Sequence, residues 1–219
     1  MENIRVAIVE DDLIFQKSIT NFINKQPDML VVGVVSNKDD AIGLAKSLKI
    51  DLVLMDINLS GNESDGIVAA IEILKFSNAK IIMLTGIDDA STIVDSFTAG
   101  ALYYVLKENY MEIPNTIRLL HKNETPFKLL INEFSRLKKE EQLQDLSAPE
   151  KEIFNLIEQG YTQAEIGQKL YKTQNTIKTQ IKSILKKLKV KNTKEAVKKI
   201  EFKGILTKSK KQIRKEKKL

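Results

Sequence analysis

Acidic side chains directly follow two short apolar runs of the sequence, and a hydroxyl and an ammonium group follow two others. The residues concerned are Glu10, Asp11 and Asp12 after the first run, Asp56 after the third, Thr85 after the fourth and Lys107 at the end of the fifth. Clustered carboxylate oxygens suit Mg²⁺, which prefers hard oxygen ligands. A carboxylate beside that metal can accept a phosphoryl group, because the metal neutralises oxygens that would otherwise repel one another. Thr85 and Lys107 would then donate hydrogen bonds to the phosphoryl oxygens.

These side chains are distant in the sequence and meet only if the apolar runs are parallel strands of one sheet. The runs are Ile4–Val9, Leu30–Val35, Leu52–Met55, Lys80–Leu84 and Leu102–Leu106, and helix-like segments lie near 12–25, 38–48, 65–76, 89–99 and 109–122. The runs scarcely alternate with polar residues, which is typical of parallel strands covered on both faces. The pattern predicts an α/β fold, a doubly wound five-stranded parallel sheet, with its ligand at the carboxyl ends of the strands.

The charge of the chain differs strongly between its two halves. The 219 residues carry a formal net charge of +6. Residues 1–125 carry −7, residues 126–145 are neutral, residues 146–202 carry +6 and residues 203–219 carry +7. Such asymmetry indicates different partners for the acidic and the basic part.

The composition excludes several classes of site. The sequence has no cysteine and one histidine, His121. It therefore has no disulfide framework, no thiolate metal site and no histidine cluster, and most hydrolase chemistries are disfavoured. No apolar run approaches the roughly 18 residues that a membrane-spanning helix needs, and the amino terminus lacks a secretory apolar region. We expect a cytoplasmic protein that does not associate with a membrane.

The C-terminal half is predicted to be wholly helical. Apolar residues recur at helical spacing from Pro126 to about Gln144, which predicts an amphipathic connecting helix. This helix either packs on a neighbouring domain or dimerises, and the sequence leaves both open. Three later helix starts combine a small polar residue with Glu three positions on, a reciprocal capping pattern: Ser147 with Glu150, Thr162 with Glu165 and Asn192 with Glu195. The predicted helices cover about 149–159, 162–170, 174–188 and 193–202.

The segment 174–188 has the pattern of a helix that lies in the major groove of DNA. Five apolar side chains fall within one arc of roughly 100°, namely Ile177, Ile181, Ile184, Leu185 and Leu188. The adjacent arc holds Asn175, Lys178, Thr179, Lys182 and Lys186. A row of lysines is more often only a solvated face. The preceding helix 162–170 and the short turn 171–173 nevertheless complete a helix-turn-helix, which favours DNA binding.

The first half of the chain resembles a known family over roughly residues 3–122. The motifs are Val9-Glu10-Asp11-Asp12, Leu54-Met55-Asp56-Ile57-Asn58-Leu59, Met83-Leu84-Thr85-Gly86 and Ala99-Gly100-Ala101-Leu102-Tyr103-Tyr104-Val105-Leu106-Lys107. They resemble the receiver domain of two-component response regulators. The resemblance implies that Asp56 is the phosphoacceptor and that Mg²⁺ is held by Asp11 and Asp56, with Glu10 assisting in the acidic pocket and Asn58 contributing its backbone carbonyl.

The same resemblance implies a switch and also shows a departure. Thr85 and Lys107 are implied to be the switch hydroxyl and lysine, and Tyr104 the aromatic side chain whose rotamer follows Thr85. Ser60 stands where the family usually has Pro, and Asp65-Gly66 come about two residues late. The loop 60–64 is therefore expected to be longer than in most receivers.

The second half resembles the LuxR-type DNA-binding domain over about residues 146–202. The motifs are Leu146-Ser147-Ala148-Pro149-Glu150-Lys151-Glu152-Ile153, Gly160-Tyr161-Thr162-Gln163-Ala164-Glu165-Ile166, Thr176-Ile177-Lys178-Thr179-Gln180 and Ile184-Leu185-Lys186-Lys187-Leu188. The resemblance implies that Lys178, Thr179 and Lys182 make the main DNA contacts, with Asn175 and Lys186 as further contacts. In a departure from the family, Lys189 stands where a helix-ending Gly is common.

Together the two resemblances describe a response regulator of the NarL/FixJ type, which is not an enzyme. The expected domains are a receiver over 1–122, a helical linker over 123–145, a DNA-binding domain over 146–202 and a basic tail over 203–219. The implied function is phosphorylation-dependent regulation of transcription, with a sensor histidine kinase donating the phosphoryl group to Asp56. Double-stranded DNA and, once the protein is phosphorylated, a second copy in a homodimer are the other implied partners.

Two other functions fit parts of the sequence. The receiver fold could serve as a phosphorylation-independent protein-interaction module, or the chain could chiefly be an RNA-binding or kinase-sequestering protein. Alternatively, the chain could be a phosphatase or phosphotransferase with an Asp nucleophile, although such enzymes often have a second Asp where this chain has Asn58. The basic tail either adds sequence-independent attraction to phosphate backbone or serves only solubility.

Overall fold

The computed structural model describes residues 3–59, 64–86, 89–122 and 125–202, with the backbone alone for 125–128. The chain divides into two compact units, Met1–Ser135 and Arg136–Leu219. The predicted longer loop lies outside the described residues except for Ser64, and the basic tail 203–219 lies wholly outside them.

The first unit alternates five strands with helices. The strands are β1 (Ile4–Val9), β2 (Met29–Val35), β3 (Leu52–Asp56), β4 (Lys80–Thr85) and β5 (Tyr103–Leu106). The helices are α1 (Leu13–Asn24), α2 (Lys38–Ser47), α3 (Asp65–Leu74), α4 (Ala90–Thr98) and α5 (Ile113–Lys122), with a 3-10 helix, Lys107–Glu112, before α5. All strand pairs are parallel, in the order β2-β1-β3-β4-β5. The predicted doubly wound sheet is confirmed.

The strand order places the ends of β1 and β3 at the centre of the sheet. Every residue of β3 is buried, and so are the last five residues of β4, because helices cover both faces. The chain runs from β1 outward to β2 and then crosses back to β3 on the other side of β1. The order therefore reverses between β1 and β3, and ligands of open α/β sheets bind at the carboxyl side of such a point.

One predicted helix of the first unit is divided in the structure. The pattern predicted a single helix over 109–122, whereas a 3-10 helix ends at Glu112 and α5 begins at Ile113. Asn109 within the 3-10 helix has a non-helical φ of −95° and ψ of 24°. Pro114 suits the first turn of α5, because the proline nitrogen has no hydrogen to donate and its fixed φ is helical.

The described part of the second unit, up to residue 202, is helical, as the sequence predicted. After α6 (Thr125–Gln142), which connects the two units along the chain, come α7 (Ala148–Glu158), α8 (Gln163–Lys169), α9 (Gln174–Lys187) and α10 (Thr193–Glu201). The predicted apolar arc of α9 is inside: Ile177, Ile181, Ile184 and Leu188 are buried, and Leu185 is half-buried. None of the described helices is both long and apolar enough to cross a bilayer.

The predicted capping pairs differ in their details. Thr162 N–H donates to Glu165 Oε2 at 2.7 Å, and Glu165 N–H donates back to Thr162 Oγ1 at 3.4 Å. Before α10, Glu195 N–H donates to Asn192 Oδ1 at 2.8 Å, but the Glu195 carboxylate accepts from Lys191 N–H at 2.9 Å. The last pair is therefore reciprocal only in part.

The third capping residue, Glu150, links the start of α7 to α9. Its Oε2 accepts from Ser147 N–H at 2.8 Å and from Lys187 Nζ at 2.6 Å, and its Oε1 accepts from Ser183 Oγ at 2.7 Å. These bonds, that with Lys187 above all, lower the pKa of Glu150 from 4.5 to about 2. The carboxylate therefore stabilises the unit above about pH 4.5, and this contribution is lost as the pH falls towards 2.

We expect Glu150→Gln to destabilise the second unit by about 2 kcal/mol, because Lys187 loses the buried carboxylate of Glu150 as its charged partner. Faster amide hydrogen exchange in α7 and α9 would report this loss. Glu158→Gln is the control, since Glu158 is a partly exposed acceptor from Lys139 whose loss is expected to remove less than about 1 kcal/mol. Equal exchange rates in the two variants would contradict the structural role of Glu150.

Candidate functional site

The carboxyl ends of β1 and β3 bring three carboxylates together. Glu10 and Asp11 directly follow β1, and Asp56 is the last residue of β3. One oxygen from each carboxylate lies within 4.8 Å of the others. Glu10 and Asp56 are buried, whereas Asp11 is partly exposed. The cluster therefore has two carboxylates fixed in the interior and one at the opening.

Lys107 joins this cluster from the end of β5. Its Nζ lies 2.8 Å from each carboxylate oxygen of Glu10 and 3.1 Å from Asp56 Oδ2. Glu10 and Lys107 are 97 positions apart in the sequence. The expectation that strand ends bring these groups to one edge of the sheet is confirmed for Glu10, Asp11, Asp56 and Lys107.

Burial changes the acidity of the groups in this cluster. Desolvation raises the pKa of Glu10 from 4.5 to about 6, although the hydrogen bond from Lys107 opposes the shift. Desolvation likewise raises the pKa of Asp56. Burial alone would lower the pKa of Lys107, but its bonds with Glu10 and Asp56 outweigh that effect and raise it. The Lys107 ammonium therefore remains charged, while its contacts do not fully offset the cost of burying the ionised carboxylates of Glu10 and Asp56.

The cluster fits a divalent cation by its chemistry. Three carboxylates face one ammonium, so the ionised site has an excess of two negative charges. The atoms of this cluster that could bind a metal are carboxylate oxygens, the ligand type that Mg²⁺ prefers. Desolvated carboxylates with raised pKa gain most from a cation that restores the electrostatic stabilisation lost on burial.

The remaining residues implied in the metal site and the switch lie along the same edge. Asn58 N–H donates to Asp56 Oδ1 at 3.4 Å. Thr85 ends β4 and is buried, with 1% of its surface exposed. Tyr104, half-buried in β5, pairs with Met83 and therefore lies on the same face of the sheet as Thr85, because side chains alternate along a strand.

Two residues near the cluster have roles that the sequence did not distinguish. Asp12 is exposed and accepts from the backbone N–H groups of Ile14 and Phe15, at 2.8 and 3.2 Å. It therefore caps α1 instead of joining the acidic cluster. Phe15 presents its ring to Lys107 Nζ, 5.1 Å from the ring centroid. A single aromatic residue in an amphipathic helix gives no signal for such a contact, so the tertiary structure was needed to find it.

The second candidate surface is the exposed side of α9. The structure places all five predicted DNA-contact residues in exposed positions: Asn175, Lys178, Thr179, Lys182 and Lys186. The helix begins after Thr173, whose hydroxyl accepts from Thr176 N–H at 3.3 Å. One side of α9 is therefore held in the core while the other presents cations and small polar groups, as a groove-binding helix requires.

Comparison with protein families assigns both halves. Residues 6–118 match the model of the response regulator receiver domain, which is more than half of the chain. Residues 144–200 match the model of bacterial regulatory proteins of the luxR family. The chain belongs to the response regulators. It combines a receiver domain with a LuxR-type DNA-binding domain.

Curated relatives and solved structures agree with this assignment. The transcriptional regulatory protein LiaR of Bacillus subtilis is 36% identical over 201 aligned positions, and the match covers 88% of this chain and 94% of LiaR. The response regulator protein VraR of Staphylococcus aureus is 32% identical over 199 aligned positions, and the match covers 89% of this chain and 94% of VraR. A solved RcsB–DNA complex is 27% identical with a TM-score of 0.51, covering 87% of this chain and 95% of that one.

This response regulator is thus homologous to two-component regulators of transcription. Its homologues are DNA-binding transcriptional regulators and not enzymes. The family assignment supports the preferred interpretation of the sequence over a phosphatase or an RNA-binding protein. A receiver domain also implies a kinase as its partner.

The response regulator has a close backbone approach beside Asp56, at the start of α3. Gly66, the second residue of α3, donates its N–H to Ile57 O at 3.0 Å. A Cβ at Gly66 would lie 1.8 Å from the backbone oxygen of Asp56. No side chain fits between α3 and the end of β3, so the late position of Asp65-Gly66 still provides the contact.

We expect Gly66→Ala to destabilise the receiver by about 3 kcal/mol, because the backbone of Asp56 has to move. Thermal unfolding and hydrogen exchange in β3 would measure the effect. Gly43→Ala in α2 is the matched control: a Cβ there meets nothing within 4 Å, and it should stabilise the helix by about 0.5–1 kcal/mol. Equal unfolding temperatures for the two variants would contradict the close approach.

Proposed function

We propose that this chain is a phosphorylation-dependent transcriptional regulator in which a sensor histidine kinase phosphorylates Asp56. The proposed domains are a receiver over 1–122, a linker over 123–145 and a DNA-binding domain over 146–202. The observation that carries the proposal is the buried Asp56 carboxylate beside Glu10 and Asp11, with Lys107 Nζ 3.1 Å from its Oδ2. The exposed polar side of α9 is the surface proposed to bind DNA.

The phosphoryl transfer uses Asp56 as the nucleophile. An oxygen of Asp56 attacks phosphorus, the bond from phosphorus to the imidazole nitrogen of the kinase breaks, and a phosphorus–oxygen bond forms. The histidine leaves as imidazole and takes up a proton. Lys107 is close enough to exchange its contact with Asp56 for a contact with a phosphoryl oxygen. The Thr85 hydroxyl would donate a hydrogen bond to another phosphoryl oxygen. Tyr104 then follows the position of Thr85.

The proposed cofactor is Mg²⁺, held by Asp11, Asp56 and the backbone carbonyl of Asn58 with Glu10 nearby. When bound, it neutralises the oxygens of the transferred group so that a carboxylate can approach them. Glu10 also holds Lys107 in the site by their paired contacts at 2.8 Å.

Phosphorylation is proposed to bias a two-state equilibrium of the receiver. The added charge draws Thr85 and Lys107 towards the phosphoryl group, and the face of α4, β5 and α5 rearranges. The rearranged state favours a homodimer in which two copies of α9 read half-sites about one helical turn apart. In each copy Lys178, Thr179 and Lys182 contact the DNA, with Asn175 and Lys186 beside them.

Phosphorylation of the full-length protein is expected to raise its affinity for DNA by about tenfold or more. Acetyl phosphate with Mg²⁺ serves as the donor, and the probe is a duplex that the phosphorylated protein selects from a random pool. Light scattering should show dimers in the same sample. Acetyl phosphate with a chelator is the control. Unchanged affinity and mass in a sample shown by mass spectrometry to carry the phosphoryl group would refute the proposal.

A further inference from the structure

Two residues of unusual backbone conformation flank α9. Tyr171, in the turn before the helix, has a φ of 52°, and Lys189, which follows the C-cap residue Leu188, has a φ of 54°. In the part of the chain that the structure describes, these are the only non-glycine residues with positive φ. The left-handed conformation is unfavourable for any residue with a Cβ, because the Cβ crowds the backbone carbonyl.

Both residues close a helix by the same hydrogen-bond pattern, which favours glycine. After α8, Tyr171 N–H donates to Gln168 O at 3.3 Å, and Lys172 N–H donates to Gly167 O at 2.9 Å. After α9, Lys189 N–H donates to Lys186 O at 3.1 Å, and Val190 N–H donates to Leu185 O at 3.0 Å. The chain does place glycine at the equivalent position after α7, where Gly160 has a φ of 87°. The two positions beside α9 differ in carrying large side chains.

Neither side chain is buried against the described residues of the unit. Tyr171 is 97% exposed, and Lys189 is exposed. Within the described residues, neither the Tyr171 hydroxyl nor the Lys189 ammonium has a hydrogen bond or ion pair. The strained conformation therefore gains no compensation from hydrogen bonds or ion pairs of these side chains with the described residues of the unit.

The surroundings of both residues attract anions. Between 169 and 191 the chain has eight lysines and no carboxylate. The exposed row of Lys178, Lys182 and Lys186 lies between the two positions in the sequence. Lys189 follows this row directly and extends its positive charge beyond the end of α9.

We propose that Tyr171 and Lys189 bind the sugar-phosphate backbone of duplex DNA at the two ends of α9. The helix has 14 residues and is about 21 Å long, which exceeds the roughly 12 Å width of the major groove. In this proposal α9 crosses the groove, which places residues just beyond its ends near the phosphates that border it. The Tyr171 hydroxyl donates a hydrogen bond to one phosphate oxygen, and the Lys189 ammonium pairs with another.

This inference rests on the proposed DNA binding and adds two contacts that carry no sequence information. It explains why glycine is absent from both positions: the side chain provides binding that offsets the backbone strain. Substitution by glycine at either position should therefore relieve the backbone strain, which favours stability, and at the same time lower the affinity for DNA. A purely structural role would move both in the same direction.

The test uses the full-length protein with Tyr171→Gly and Lys189→Gly as variants. The probe is a fluorescent duplex of mixed sequence and about 30 base pairs, titrated over a range of salt concentrations. Tyr171→Phe isolates the hydroxyl, and Lys49→Gly removes one exposed lysine of the receiver as a charge-matched control. Lys178→Ala with Lys182→Ala tests the underlying DNA binding separately.

Each glycine variant is expected to bind DNA about tenfold more weakly while its unfolding temperature is equal or higher. Lys189→Gly should also lower the slope of log affinity against log salt by about 0.9, the value for one phosphate contact. Tyr171→Phe and Tyr171→Gly should weaken binding without changing that slope, because the phenol is uncharged.

Other results would overturn the inference. Glycine variants that bind as tightly as Lys49→Gly would exclude a backbone contact, and weaker binding together with a lower unfolding temperature would indicate a structural role. If the double variant of Lys178 and Lys182 also binds normally, the proposed DNA-binding function itself fails. If only the double variant is weakened, the function stands and the two flanking contacts do not.

Discussion

Asp56→Ala is expected to abolish incorporation of a phosphoryl group from a small phosphodonor. Asp56 is the only carboxylate of the cluster that both ends a buried strand and contacts Lys107 within the described residues. Glu10 also contacts Lys107, but both of its carboxylate oxygens lie 2.8 Å from Lys107 Nζ, whereas Asp56 contacts that ammonium through Oδ2 at 3.1 Å. Mass spectrometry of the intact protein after treatment with acetyl phosphate and Mg²⁺ measures the result.

Two further variants make this experiment specific. Asp56→Asn keeps the size of the side chain and should also remain unlabelled, because an amide is not a nucleophile here. Asp39→Ala removes an exposed carboxylate of α2 and should label like the unaltered protein. Label that persists in Asp56→Asn would place the phosphoacceptor at another residue.

Lys178→Ala combined with Lys182→Ala is expected to reduce DNA affinity roughly a thousandfold, since each contact provides about 2 kcal/mol. Both lysines are exposed on α9, so their removal does not disturb the core residues Ile177 and Ile181. Fluorescence anisotropy with a selected duplex at fixed salt measures the loss. The unfolding temperature should remain unchanged.

The control for this result has the same change in net charge. Lys17→Ala with Lys49→Ala removes two exposed lysines from the receiver and should leave the affinity for DNA unchanged. If both double variants lost affinity to the same extent, the total charge of the protein would explain the binding. A specific role for α9 would then be excluded.

Several features of the fold were predictable from local sequence patterns. Unbroken apolar runs predicted the five parallel strands, because strands buried on both faces do not alternate. The periodicity of 174–188 predicted which side of α9 enters the core. Residues that follow parallel strands share one edge, so Glu10, Asp56 and Lys107 were expected together although they are distant in the sequence.

The same rule also included a residue that does not belong to the site. Asp12 follows β1 like Glu10 and Asp11, but its carboxylate accepts from two backbone N–H groups at the start of α1. Sequence position alone does not distinguish a helix cap from a site carboxylate, because both directly follow a strand. The direction of the side chain, fixed by the turn into α1, decides between them.

The sequence by itself determined the order of elements, the acidic edge of the sheet and the two sides of α9, because these depend on patterns within single elements. The tertiary structure decided how elements meet: Phe15 beneath Lys107, Gly66 against Asp56, and Glu150 bonded to α9. Such contacts depend on packing distances between segments distant in the chain. No local pattern encodes those distances. The same packing buries Glu10 and Asp56, and this desolvation raises the pKa of both carboxyl groups.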